Sequence, residues 1–108
     1  MNEYLKFIDR VDKINQAFQL NQFEIKLLDL ATQAHCSEKS IFVTDLINHE
    51  HIGSQITLNM EVKGLINKNL LMADPDKGDG CDKIIFLTKL ALDRLNKLNQ
   101  ATNLAVIQ

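Results

Sequence analysis

The sequence predicts an α+β fold, mostly helical, with a small two- to three-stranded antiparallel sheet. Three observations predict it. Apolar residues recur at steps of three and four along most of the chain, which is the period of amphipathic helices. Two short apolar runs, 70–73 and 84–87, flank Asp74-Pro-Asp-Lys-Gly-Asp-Gly, a turn-forming tip of the kind that joins hairpin strands. A tight turn, His51-Ile-Gly-Ser, separates a short helical stretch from a longer one.

The elements follow in order. Over residues 2–19, Leu5, Ile8, Val11, Ile14 or Ala17, and Phe18 form one stripe, which Tyr4 and Phe7 widen. Asn15, Gln16 and Gln19 fall on the polar side of that helix. Asn21 is placed as the N-cap of a second helix, and Glu24 stands three residues on, where a capping box needs it. Phe23, Ile25, Leu27, Leu28, Leu30 and Ala31 give this helix, which runs to about residue 34, an apolar face wide enough for the centre of a core. Residues 35–40 are a polar connection, and Ile41-Phe-Val is β-prone but long enough only for an edge strand.

Val43-Thr-Asp-Leu-Ile starts a short helix, which Thr44 or Ser40 is placed to cap; it turns Leu46 and Ile47 inward and ends near Glu50. Ser54 caps the next helix, over 54–68. Projected at 3.6 residues per turn, Leu58, Val62, Leu65 and Ile66 gather on one side. Ile56, Thr57, Asn59, Met60, Lys63 and Gly64 fall on the other. Asn69 stands where a helix ends in a left-handed residue. Beyond the hairpin, Thr88 caps a last helix with Leu92, Leu95 and Leu98 on its apolar face and Leu90 and Ala91 beside them. Residues 101–108 continue that helix or fray.

A chain of 108 residues predicts one domain, divided into an N-terminal helix (1–20), a core (22–88) and a C-terminal helix (89–108). A domain this small buries a modest share of its surface, and dimerisation would add to it. The formal net charge of −2 argues against an all-over basic coat for nucleic acid and leaves room for a local basic face. No apolar run approaches the ~20 residues a membrane helix needs, and the first residues lack the pattern of a signal peptide. Cys36 and Cys81 suggest no disulfide framework. The expectation is a cytoplasmic protein.

A short helix, tight turn, second helix and two strands with a charged tip, in that order, predict a winged helix-turn-helix. The second helix of such a unit usually lies in the DNA major groove. Gln55 and Asn59 have the amides that pair with adenine edges, and Thr57 or Ile56 can meet a thymine methyl. Ser54 and the helix N-terminus suit a phosphate; Lys63 and Lys68 add charge neutralisation. Ile56 and Met60 on an exposed face also suit a protein partner. Leu5, Ile8, Val11 and Ile14, with Leu92, Leu95 and Leu98, either build a two-fold dimer interface or pack only within their own chain. His49 and His51 are two apart at a turn, a spacing that does not put two ligands on one helix face, and no metal is expected. Cys81 is expected to be exposed between Lys77 and Lys83 on one count and Asp79 and Asp82 on the other, a mixed setting for a redox-sensing thiol. No nucleophile–base arrangement and no phosphate-cradling Gly-rich loop is present, so neither an enzyme nor a bound cofactor is expected.

Over residues 22–98 the chain resembles the MarR-like winged-helix transcriptional regulators. The resemblance is carried by Thr44-Asp-Leu-Ile before the turn, Gly53-Ser-Gln-Ile-Thr-Leu entering the recognition helix, and Leu65-Ile-Asn-Lys-Asn-Leu-Leu leaving it, with Asn69 in the family's glycine position. Asp79 and Leu87-Thr88 are similar to the wing's "Asp-x-Arg … Leu-Thr" pattern, with Cys81 in place of the arginine. Met60 likewise stands where family members often carry arginine, and the C-terminal helices are short for the family. The resemblance implies a homodimer binding double-stranded DNA, a wing at about 74–83 touching backbone or minor groove through Lys77 and Lys83, and an optional small-molecule effector. The alternative is a winged-helix protein-interaction module that binds no DNA.

Overall fold

Asn21 and Glu24 begin the central helix as a reciprocal cap. The Asn21 side chain accepts the Glu24 N–H at 2.8 Å, and the Glu24 carboxylate accepts the Asn21 N–H at 3.0 Å. Two orphan donors of the helix start are thereby satisfied. In the computed structural model the described residues are 2–74 and 83–107, with side chains described as far as Ala101. The hairpin tip, with Lys77 and Cys81, lies outside them. Among the described residues the chain is a mostly helical α+β domain, in the order α1 (Glu3–Ala17), α2 (Gln22–Cys36), β1 (Ile41–Phe42), α3 (Val43–Ile47), α4 (Gln55–Asn67), β2 (Leu71–Ala73), β3 (Ile84–Leu87) and α5 (Lys89–Ile107).

The three strands form one antiparallel sheet in the order β1-β3-β2. Ile41 pairs with Ile85 on one edge, and Met72 pairs with Phe86 on the other. The core runs from α2 (Leu27, Leu28, Ala31) through α3 (Leu46) and α4 (Leu58, Val62, Leu65) to the sheet (Leu71, Ile85) and the start of α5 (Ala91). Fully burying a leucine side chain contributes about 1.5–3 kcal/mol, so this cluster is the main source of stability. Gly53 lets the α3–α4 turn close over it, because a Cβ there would stand 3.2 Å from the Phe23 ring.

Three helices end alike. Gln19, Glu38 and Asn69 have φ of 58°, 57° and 63°. The next residue's N–H returns to a carbonyl five back in each case: Leu20 to Asn15, Lys39 to Ala34 and Leu70 to Leu65. These are Schellman endings. Asn69 fulfils the sequence expectation; Gln19 and Glu38 do the same work without the usual glycine or asparagine.

Several expectations are corrected. The β-prone run gives only two strand residues, because Val43 already belongs to α3. The α3 helix is capped neither by Thr44 nor by Ser40; the Asp45 carboxylate accepts the Phe42 N–H at 2.9 Å. It ends at Ile47 rather than near Glu50. Asn15 is buried, not solvated. Its partner is Arg94 of α5, itself 1% exposed, whose Nε donates to Asn15 Oδ1 at 3.0 Å while Nη2 donates to Asp29 Oδ1 at 3.0 Å. One guanidinium thus ties α5 to both α1 and α2.

Arg94→Leu should lower the free energy of unfolding by about 2–3 kcal/mol, because Asn15 loses its donor inside the protein. Urea denaturation reads this directly. A loss within about 0.5 kcal/mol, the range of ordinary surface substitutions, would contradict the assigned tie.

Candidate nucleic-acid interface

The face proposed by the sequence is built on α4 and its preceding turn. Ser54 caps the helix: its hydroxyl accepts the Thr57 N–H at 3.2 Å and donates to Thr57 Oγ1 at 3.0 Å. The turn is braced from the C-cap of α3, where Asn48 Oδ1 accepts from Gln55 Nε2 at 2.7 Å. The Ile52 and Gly53 N–H groups both return to the His49 carbonyl. The His49 and His51 rings meet edge to face, with centroids 5.4 Å apart.

Burial divides the helix cleanly. Leu58, Val62 and Leu65 face the core. Ile56 is 78% exposed and Met60 67%, one turn apart. Lys63 is exposed, and Asn59 and Thr57 are half-buried. By helical projection Ile56, Asn59, Met60 and Lys63 share the outward face, while Thr57 and Gly64 turn toward the flank. Lys83 is exposed just before β3, and its carbonyl accepts the Val43 N–H at 3.1 Å. Lys77 lies outside the described residues.

The C-terminal half of α4 is clamped instead. Glu24, 2% exposed, accepts from Lys68 Nζ at 2.6 Å. The same ammonium donates to the Gln19 carbonyl, and Asn21 Nδ2 donates to Glu61 Oε2 at 2.9 Å. Gly64 completes the fit, since a Cβ there would stand 3.2 Å from Glu24 Oε2. Three expectations change. Gly64, like Thr57, is turned to the flank rather than outward, and Lys68 is committed to Glu24 rather than left for a phosphate. Ile66, expected inside, is 36% exposed.

The residues assigned to a dimer interface are split. Helices α1 and α5 pack on each other within the chain, running in opposite senses: Asn15 meets Arg94, while Arg10 and Lys13 share a groove with Gln100 and Ala101. Ile14 lines the same groove, and Val11, Ile14, Leu92, Leu95 and Leu98 are half-buried. Leu5 and Ile8, with Tyr4, stay exposed on α1. Among the described residues no group of three metal-ligating side chains comes together, and no helix is long and apolar enough to cross a membrane. Cys36 is exposed and unpaired in any disulfide.

Sequence reasoning missed two features. One is the Glu24–Lys68 clamp, for which the available signal was an acid at helical spacing from Leu27 and Leu28 on the apolar side of α2. The other is the exposed cross-strand pair Met72 and Phe86 on the outer sheet face; Leu71, Met72 and Ala73 are all apolar, so no alternation in the sequence marked the outward side. Comparison with known proteins finds no family model and no curated protein that matches the chain.

Lys68→Met should leave the buried Glu24 carboxylate without its cation and lower stability by about 2–3 kcal/mol. Lys63→Met, on the outward face, should stay within about 0.5 kcal/mol. Chemical denaturation of the two variants side by side checks this; equal losses would show that the clamp does not exist in solution.

Proposed function

We propose that this chain is a winged-helix, sequence-specific DNA-binding transcriptional regulator of MarR-like type. Helix α4 enters the major groove, and the 74–83 segment acts as the wing on backbone or minor groove through Lys77 and Lys83. The observation that carries the reading is the outward side of α4, where Ile56, Met60 and Lys63 are exposed and Asn59 half-buried, on a helix whose other side is packed into the core. A rigidly held helix with a free outer face is what insertion into a groove requires. The chain acts as a homodimer through α1 and α5, with Leu5, Ile8, Val11 and Ile14 and Leu92, Leu95 and Leu98 at or beside the two-fold axis. Such a dimer sets two reading helices about 34–36 Å apart, one turn of DNA.

A second reading has its own observation. Ile56 and Met60 are large apolar groups in water, and the outward face of α4 carries one lysine. A protein-interaction module would use them as anchors.

Selection from a random duplex pool at about 100 mM salt distinguishes the two, since salt sets the strength of any phosphate contact. The DNA reading predicts enrichment of a palindrome. Asn59→Ala should then relax preference at one base position, at a cost of about 1–3 kcal/mol, and Lys63→Ala should weaken all duplexes alike while lowering the salt slope by about 1. A folded protein that enriches nothing leaves the protein-interaction module as the reading.

A further inference from the structure

We infer that α4 reads thymine methyl groups, so that the base pairs it touches are A·T pairs. The inference rests on the DNA reading above and adds to it the class of sequence recognised. Direct recognition of guanine uses arginine or lysine on O6 and N7, and recognition of cytosine uses a carboxylate on N4. Residues 54–62 contain no arginine and no lysine. Their one carboxylate, Glu61, is turned to the flank and accepts from Asn21. The first two turns of the reading helix therefore lack free guanine- and cytosine-reading groups, and Lys63, in the third turn, is the group that the DNA reading gives to a phosphate.

What the first two turns present outward is the Asn59 amide between two apolar side chains, Ile56 and Met60; the Gln55 amide donates to Asn48. An amide suits the N6 and N7 edge of adenine, and an apolar group finds its one apolar match on a major-groove base edge in the thymine methyl. At i and i+4 the two side chains stand about 6 Å apart along the helix axis, close to the rise of two base-pair steps. Ile56 is stiff at χ1 and suits a fixed methyl; Met60 is flexible and adapts to its neighbour. Asn59 and Lys63 interrupt the apolar surface on the same face, which favours base edges over the broad apolar patch of a protein partner.

Replacing thymine by deoxyuridine removes only the methyl. The experiment takes the duplex enriched from the random pool and substitutes deoxyuridine at each read position, then measures affinity for the wild-type chain and for Ile56→Ala/Met60→Ala. Both side chains lie mostly in solvent, so the double variant is expected to fold normally; its circular dichroism and melting temperature check this. Loss of each contacted methyl should weaken wild-type binding about fourfold, the value of one buried methyl-sized group. The double variant should bind the thymine and deoxyuridine duplexes equally. Indifference of the wild type to deoxyuridine, persistence of the effect in the double variant, or enrichment of G·C pairs under α4 would overturn the inference while leaving DNA binding intact. Absence of binding to any duplex, with capture of a protein partner through Ile56 and Met60 instead, would overturn both.

Discussion

The placement of α4 depends on a single buried carboxylate. Glu24 is almost wholly removed from water and meets the Asn21 N–H, the Lys68 ammonium and the close backbone of Gly64. A buried ion pair is a weak source of net stability, because desolvation offsets the attraction. Its effect here is directional. One orientation of α4 against α2 satisfies the carboxylate, the ammonium and the glycine approach together. A sliding or rotated α4 would leave a charge buried without its partner, which is strongly destabilising.

That constraint has a consequence for the surface. Lys68 is drawn inward, and Glu61 is held at the flank by Asn21. The outer face is left with Ile56, Asn59, Met60 and Lys63, apolar and amide groups with a single cation. Arg94 acts similarly at the other end of the domain, joining α5 to α1 and α2 through Asn15 and Asp29. The two ties divide the work: one sets the candidate reading helix, and the other sets the α1–α5 pair that we propose as the dimer element.

Much of this architecture was legible from local chemistry. Asn21 and Glu24 announce their capping box within four residues, Asn69 announces a left-handed helix end, and Leu58, Val62 and Leu65 repeat at helical steps. What was not legible depends on partners far along the chain. Asn15 reads as solvated because Arg94 lies 79 residues away, and Lys68 reads as a free cation because Glu24 lies 44 residues before it. Val43 reads both as the end of the β-prone run and as the start of the short helix; the structure gives it to α3, where the Asp45 carboxylate accepts the Phe42 N–H. Ile56, Asn59, Met60 and Lys63 were found by periodicity alone; Thr57 and Gly64 are the exceptions, turned to the flank, where Gly64 closely approaches Glu24.

The most direct measurement is backbone amide chemical-shift mapping of the protein on addition of a duplex enriched by selection. The account predicts shifts concentrated at 54–63 and at Lys83, with the clamped end of α4 around Gly64 to Lys68 little changed. Shifts confined to α1 and α5 or to the outer sheet face at Met72 and Phe86, with 54–63 unmoved, would contradict it.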